Sequence, residues 1–212
     1  MTDFALARKY MVDSQLLTSA VTDRRILNRM GELPREKFLP ASRQSTAYVD
    51  DVQWFGQPGS SRFVAPPAVF GKLLQLAEIT HEDVVLDIGA ATGYSTAVIA
   101  ALAASVDGFE PDAELARQAA ANIADLDNAT VVNVIESGRY DVVIVEGALE
   151  KVPDVYFAAL KDGGRLIALI REGAVAVANV FVKTGKDVAA RQEFNAMLPP
   201  LVVTPHEDQF VF

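Results

Sequence analysis

The second half of the chain alternates between short apolar runs and longer amphipathic segments. The apolar runs have the length and composition of strands buried on both faces, and the amphipathic segments have the spacing of helices. This alternation predicts an α/β fold built on a doubly wound, parallel sheet. The strand-like runs are 84–89, 106–111, 129–135, 140–148 and 165–171, and the helical segments between them are 94–105, 112–126 and 152–164.

The two ends of the chain follow other patterns. Apolar residues at near-helical spacing predict N-terminal helices, with Thr22 as the cap of a helix over 23–33 that stops before Pro34. A further amphipathic helix is predicted over 68–79. Near the C-terminus, two strand-like runs within 174–194 are joined by Lys-Thr-Gly-Lys-Asp, which predicts an antiparallel hairpin at the sheet edge.

Composition limits the classes of function. The chain has 212 residues, half of them hydrophobic, which suffices for one large core. Its net charge of -9 disfavours a nucleic-acid partner, because an acidic surface gains nothing from counterion release. There is no cysteine and no apolar run of the roughly 20 residues that cross a membrane. We therefore expect a cytoplasmic protein without thiolate catalysis, and its two distant histidines predict no metal site.

Residues 85–94, Val-Leu-Asp-Ile-Gly-Ala-Ala-Thr-Gly-Tyr, carry the strongest chemical signal. A strand ends near Asp87, Gly89 opens a tight turn, and Gly93 leads the backbone into the next helix. Glu110 follows Gly89 by about 20 residues, where an acid accepts the ribose hydroxyls of a nucleotide-like cofactor. The alternative is a glycine turn of an α/β protein that binds nothing.

The glycine spacing separates two classes of cofactor. A dinucleotide needs Gly-x-Gly-x-x-Gly, because its pyrophosphate approaches the loop backbone and the helix N-terminus. Here Asp87 is followed by small residues at Gly89, Ala91 and Gly93, which resembles the loop of class I S-adenosylmethionine-dependent methyltransferases. Alanine at position 91 departs from the glycine of that family. The C-terminal hairpin also suits the Rossmann-like methyltransferase sheet better than a dehydrogenase.

The N-terminal part narrows the resemblance. It is similar to the signature of protein-L-isoaspartate O-methyltransferases: Met-Val-x-x-Gln-Leu, Asp-x-Arg-Val-Leu, Val-Pro-Arg-Glu-x-Phe-Val-Pro and Ala-Tyr-x-Asp. Tyr94 also fits the end of that family's cofactor loop. The resemblance covers residues 5–200. The matching residues are Met11, Val12, Gln15, Leu16, Asp23, Arg25, Leu27, Pro34, Arg35, Glu36, Phe38, Pro40, Ala47, Tyr48 and Asp50.

The resemblance implies one methyltransferase domain over 1–212 with S-adenosylmethionine as cofactor. Within it, 1–78 would form an N-terminal helical and substrate-loop segment, and 79–212 the cofactor-binding core. The implied cofactor-binding residues are Asp87, Gly89, Ala91, Gly93, Tyr94, Glu110 and Pro111.

The chain departs from the family in the substrate loop, residues 55–67, Phe-Gly-Gln-Pro-Gly-Ser-Ser-Arg-Phe-Val-Ala-Pro-Pro. In the family, a serine hydroxyl of this loop lies beside the cofactor methyl group and the substrate carboxylate. The loop length has changed, so three alignments give three equivalents of that serine: Ser60 when aligned on Gly56, Arg62 on Tyr48, and Val64 on Pro66.

The candidate catalytic residues are therefore Ser60, Ser61 and Arg62. Pro66 leads directly into the next helix, so its alignment is structurally the firmest, and it implies that the family hydroxyl is lost. Arg62 could replace that hydroxyl, because a guanidinium pairs with a carboxylate in a bidentate way. The alternative is a solvated turn that the two serines merely cap.

A second departure follows the strand-like run 129–135. The family has Gly-Asp-Gly-x-x-Gly there, whose acid contacts the adenine amine, whereas this chain has Ile-Glu-Ser-Gly. Glu136 is the candidate for that contact, with a solvated loop acid as the alternative. Glu146, at the end of the next strand, faces the same cleft by topology. A charge there is costly unless it meets water, a cation or a ligand.

The resemblance implies methylation of isoaspartyl carboxylates in damaged proteins or peptides. Such a carboxylate is ionised near neutral pH, so the reaction needs alignment and exclusion of water rather than a general base. Two alternatives stay open: a methyltransferase of another nucleophile, and a catalytically silent cofactor-binding scaffold. We expect neither nucleic acid nor membrane as a partner, and a monomer or small homo-oligomer.

Overall fold

The computed structural model describes residues 3–56, 62–173 and 175–201 of the chain. Fifteen helices and strands carry labels in the text below. The helices are α1 (Phe4–Met11), α2 (Arg24–Glu32), α3 (Pro67–Ala77), α4 (Tyr94–Ile99), α5 (Ala113–Asn122) and α6 (Asp154–Ala159). The strands are β1 (Gln53–Trp54), β2 (Phe63–Val64), β3 (Val84–Ile88), β4 (Ser105–Phe109), β5 (Ala129–Val132), β6 (Tyr140–Leu149), β7 (Leu160–Glu172), β8 (Val175–Thr184) and β9 (Asp187–Ala196).

Seven strands form one sheet in the order β5-β4-β3-β6-β7-β8-β9. Strands β5 to β7 are parallel, whereas β8 and β9 add to the edge in antiparallel fashion. The doubly wound sheet and the C-terminal hairpin predicted from the sequence are therefore confirmed. From β3, the chain adds β4 and β5 on one side and then β6 and β7 on the other, so the strand order reverses between β3 and β6. The carboxyl ends of β3, β4 and β6 lie at this point of the sheet edge, where open α/β sheets bind ligands.

The two faces of the sheet are buried against different parts of the chain. Val85, Ile144 and Ile167 face a core shared with the N-terminal helices and α3. Their strand neighbours Leu86 and Val143 face a second core that α6 covers. Because side chains alternate along a strand, these continuous apolar runs supply both cores. Among the described residues, no helix is long and apolar enough to cross a membrane.

Three local expectations are corrected by the structure. Helix α2 is capped by Asp23, whose carboxylate accepts from Arg25 N, while Thr22 N donates to the Gln75 side chain. Helix α4 ends at Ile99 rather than at 105, and the next residues form turns. Helix α6 ends at Ala159, before the glycines expected to stop it. Leu160 already pairs with Tyr140 of β6, and the next pair joins Arg165 to Val142, so the glycines lie in a bulge between these two pairs. Gly163 adopts a φ of +79° there.

Candidate functional site

The loop between β3 and α4 forms the floor of the candidate site. Gly89 and Gly93 adopt φ angles of +88° and +87°, and the non-glycine Ala91 adopts +49°. A Cβ on Gly93 would lie 3.3 Å from the Ala119 Cα of α5, so this position needs glycine for space as well as for backbone geometry. The loop is held against β4, because Gly89 N donates to Phe109 O at 2.9 Å.

Asp87, at the end of β3, anchors the helix that follows the loop. Its Oδ2 accepts hydrogen bonds from Ser95 Oγ at 2.7 Å and Thr96 Oγ1 at 2.6 Å. The side chain is fully buried, and burial raises the pKa of Asp87 to about 6, although the two hydroxyls favour the charged form. The acid therefore fixes α4 from inside the protein.

Glu110, directly after β4, is the most completely bonded acid of the site. Its Oε2 accepts from Ala91 N at 2.9 Å, and its Oε1 accepts from Asp112 N at 2.9 Å. The same Oε1 accepts from Arg62 Nε at 2.8 Å. Glu110 is 1% exposed and Arg62 is 7% exposed, so this ion pair is buried. The structure thus places the candidate substrate-loop arginine on the candidate ribose-binding acid.

Beside the loop lies a buried polar cluster of Arg35, Asp87, Tyr94 and Glu146. Burial raises the pKa of Glu146 well above its usual range, with the Asp87 charge as a second cause, and Arg35 opposes this shift. Each of the four side chains keeps one buried polar atom without a hydrogen-bond partner in the described structure: Arg35 Nη1, Asp87 Oδ1, Tyr94 Oη and Glu146 Oε1. Buried orphans of this kind indicate a place for a polar ligand or water.

The space above the loop is narrow. The cavity bounded by the loop, Phe63 and Glu146 has a volume of about 10 Å³, room for about one water. The Leu201 side chain lies against the loop: its Cδ2 would be 2.9 Å from a Cβ built on Gly89, and its Cβ would be 2.7 Å from a Cβ built on Gly147. A wider cleft of about 510 Å³ lies between residues 37–40 and α5, and Thr92 of the loop contributes to its wall.

The remaining candidates lie apart from this cluster or outside the described residues. Ser60 and Ser61 belong to the segment that the structure does not describe. Pro111 is exposed, and Glu136 is 61% exposed, with an ion pair to Arg139 at 3.3 Å. Val64, the third possible equivalent of the family serine, lies buried in β2. In the described ranges, no three His, Asp or Glu side chains gather as metal ligands.

Sequence reasoning missed four residues that shape the site. Ser95 and Thr96 were visible as hydroxyls in the first turn of α4, eight and nine residues after the acid that they bond. Arg35 was recognised only as part of a signature. Leu201 gave no signal, because its place over two glycines results from backbone bonds between the C-terminal segment and Ala148, where Leu201 N donates to Ala148 O at 3.0 Å.

Asp87 and Glu110 lie at the carboxyl ends of two adjacent parallel strands, and a glycine loop follows the first of them, which is typical of an α/β protein with a nucleoside-type site. The family model of protein-L-isoaspartate(D-aspartate) O-methyltransferase matches residues 7–204. The chain belongs to the protein-L-isoaspartate O-methyltransferase family, which confirms the resemblance drawn from the N-terminal signature and the loop.

Individual relatives agree. A protein-L-isoaspartate O-methyltransferase of Koribacter versatilis is 34% identical over 177 residues, covering 79% of this chain and 78% of the relative. One from Petrotoga mobilis is 31% identical over 174 residues, covering 78% and 80%.

Two solved structures share the fold. A protein-L-isoaspartate O-methyltransferase superposes with a TM-score of 0.77 at 24% identity over 90% of this chain, which spans 64% of that protein. A Plasmodium falciparum protein described as a β-aspartate methyltransferase, in complex with S-adenosyl-L-homocysteine, gives 0.75 at 18% identity, covering 92% of this chain and 97% of that one. At these identities the likeness concerns the fold.

Proposed function

We propose that this protein is an S-adenosylmethionine-dependent methyltransferase that esterifies isoaspartyl carboxylates of damaged proteins. The observation that carries the proposal is Glu110, a buried acid at the carboxyl end of β4 that reaches across to the loop after β3. This is where an acid accepts ribose hydroxyls in sheets of this topology. Membership of the family supplies the substrate class.

The residues of the site fit a nucleoside cofactor in chemistry. Glu110 offers a carboxylate for the ribose, the loop from Gly89 to Gly93 is shaped for close approach, and the unpartnered atoms of Tyr94 and Glu146 supply further polar contacts. Arg62 is paired with Glu110, and the Leu201 side chain lies against Gly89, so we expect cofactor binding to require both side chains to move. Asp87 holds the first turn of α4, which follows the loop.

The bound cofactor would supply an electrophilic methyl group, whose carbon–sulfur bond breaks as a carboxylate oxygen bonds to the methyl carbon. The protein then has to hold that oxygen in line and keep water away. The pKa values of Asp87 and Glu146 are raised, so these acids carry less negative charge beside an anionic substrate than ordinary carboxylates would. The buried rings of Phe63 and Phe70 line the small cavity beside Glu146 and exclude water from it.

For the substrate carboxylate we propose Arg62, with Ser60 and Ser61 as neighbouring hydroxyl donors. A guanidinium suits a carboxylate by charge and by its fork of donors. A single positioned donor is worth on the order of 10²–10³ in rate, so the loss of the family serine would slow the reaction without abolishing it. The cleft beside Thr92 is wide enough to receive the peptide that carries the carboxylate.

The test is transfer of a labelled methyl group to an isoaspartyl peptide, with the same peptide carrying a normal aspartyl linkage as control. Incorporation selective for the isoaspartyl peptide is the expected result. No transfer to either peptide, with binding of S-adenosyl-L-homocysteine by calorimetry, would point to another nucleophile. Absence of both would leave a protein that keeps the fold without the chemistry.

We also propose a cytoplasmic monomer or small homo-oligomer with neither nucleic acid nor membrane as partner. The net charge of -9 supports this, because an acidic surface is repelled by phosphate backbones and anionic headgroups. Light scattering after size exclusion measures the oligomeric state. Retention on a nucleic-acid or anionic-lipid support at physiological salt would contradict the expected partners.

A further inference from the structure

We propose that Arg62 is an internal competitor of the cofactor: it occupies the acid that the ribose requires, and binding has to displace it. The inference rests on the proposed function, because it concerns the same site. It adds that the cofactor affinity of this protein is set by an ion pair within the protein as well as by the contacts that the cofactor makes.

The first observation is how fully the Glu110 carboxylate is engaged. Its two oxygens already receive backbone N–H groups from Ala91 and Asp112, and Arg62 Nε donates to Oε1 at 2.8 Å. A carboxylate has about four acceptor positions on its two oxygens. The two backbone bonds hold the carboxylate in place without Arg62, so the guanidinium takes acceptor capacity that a ribose diol would use.

The second observation concerns what holds Arg62 in place. The arginine directly precedes β2, and Phe55 N donates to Arg62 O at 3.0 Å, so its backbone is part of the β1–β2 ribbon. Its side chain is directed inward and 7% exposed. A buried guanidinium would be costly without its carboxylate, and a buried carboxylate without its guanidinium would be costly as well. The pair is therefore a stable alternative to the ligand.

The third observation is that a side chain from the C-terminal segment lies over the loop after β3. Leu201 covers Gly89 and Gly147, at the ends of β3 and β6. Two backbone bonds fix its segment: Ala148 N donates to Pro199 O, and Leu201 N donates to Ala148 O, both at 3.0 Å. The cavity beside the loop, lined by Gly89, Tyr94 and Glu146 among others, measures about 10 Å³, which a nucleoside cannot enter.

The structure shows a closed conformation with the Arg62–Glu110 pair, and we infer an open one in which the pair is broken and the cofactor binds. The apparent affinity equals the intrinsic affinity multiplied by the open fraction. Removing the guanidinium raises that fraction while leaving Glu110 its two backbone donors. We therefore expect Arg62→Ala and the more nearly isosteric Arg62→Met to bind S-adenosyl-L-homocysteine at least tenfold more tightly than the unsubstituted protein.

The experiment is calorimetric titration of the full chain with S-adenosyl-L-homocysteine. The matched control is Arg165→Ala, which removes another largely buried ion pair, Arg165 to Asp83 at 2.8 Å, before the amino-terminal end of β3 and away from the loop. We expect its affinity to stay within twofold. Equal tightening in Arg165→Ala would overturn the proposal, because the effect would then come from general loosening.

The outcomes separate this inference from the proposed function. Measurable binding that is unchanged or weaker in both Arg62 variants overturns the competition and leaves the proposed function standing. Binding by the Arg62 variants alone supports both proposals. Absence of binding in every variant, with folded protein shown by circular dichroism, overturns both. A second readout needs no turnover: S-adenosyl-L-homocysteine should raise the melting temperature more in Arg62→Met than in the unsubstituted protein.

Discussion

The guanidinium of Arg35 lies over the ring of Tyr94, with its central carbon 4.6 Å from the ring centroid. This contact joins the N-terminal part of the chain to the first residue of α4. Arg35 is fully buried, and it also donates to Ala47 O at 2.8 Å and to Ala65 O at 2.7 Å. One side chain thus holds three segments around the candidate site, which gives the arginine of the Pro-Arg-Glu motif a structural role.

Replacement of Arg35 by alanine is expected to destabilise the protein by on the order of 3 kcal/mol or more. The change leaves two buried carbonyls without a donor and Glu146 without its neighbouring cation. Urea unfolding monitored by circular dichroism measures the loss. Arg117→Ala is the control, because that arginine pairs with Glu114 at the surface, where solvent screens an ion pair and leaves it little effect on stability. Equal losses in the two variants would contradict the structural role of Arg35.

Asp87→Asn tests the raised pKa of the buried acid. Because the folded-state pKa of about 6 exceeds the unfolded value, the folded protein holds a proton that the unfolded chain releases. The bound proton therefore stabilises the folded state fully below pH 4, and this contribution to the unfolding free energy is lost as pH rises to about 6, a change on the order of 2–3 kcal/mol. Between pH 4 and 7, the unsubstituted protein should therefore lose stability relative to Asp87→Asn.

Denaturant unfolding at pH 3, 4, 5, 6 and 7 measures this difference. Glu114→Gln gives the opposite sign as a control, because the Arg117 side chain lowers the pKa of Glu114 from 4.5 to about 2, so that its stabilisation is present above pH 4.5 and is lost as pH falls towards 2. Parallel pH profiles for the unsubstituted protein and Asp87→Asn would mean that the pKa of Asp87 is not raised.

Gly108→Ala should destabilise the protein through Thr96. A Cβ at Gly108 would lie 2.7 Å from Thr96 Oγ1, the atom that donates to Asp87. The expected cost is about 1–3 kcal/mol, since a packed interior resists an added methyl group. Thr96→Ala removes the clashing atoms, so the same glycine substitution should cost less in that background. Strictly additive losses in a double-mutant cycle of unfolding free energies would refute the clash.

Cofactor and peptide are expected to bind in order. If cofactor binding releases Arg62 from Glu110, its guanidinium becomes available to an isoaspartyl carboxylate. An isoaspartyl peptide should therefore bind at least severalfold more tightly with saturating S-adenosyl-L-homocysteine, and Arg62→Ala should abolish that gain. Fluorescence anisotropy of a labelled peptide measures both affinities. A cofactor effect of the same size in Arg62→Ala would exclude the arginine from the coupling.

Much of the fold could be predicted from the sequence, because its determinants are local. Continuous apolar runs at β3, β6 and β7 require burial on both faces, and the hairpin of β8 and β9 follows from two strand-like runs with a short polar connection. Asp87, Gly89, Gly93 and Glu110 were recognisable because a strand end, a turn and an acid follow one another at the spacing set by one strand–helix–strand unit.

The partners of those residues were decided by the tertiary structure. Arg62 and Glu110 are far apart in sequence, as are Leu201 and Gly89, and neither pair leaves a periodic or local signal. Their contacts depend on where the β1–β2 ribbon and the C-terminal segment settle against the sheet edge. The sequence by itself determined the family, the sheet and an acid suited to a ribose. Only the packing of distant segments decided that an arginine of the same chain holds that acid, because burial makes an unpaired charge too costly to leave alone.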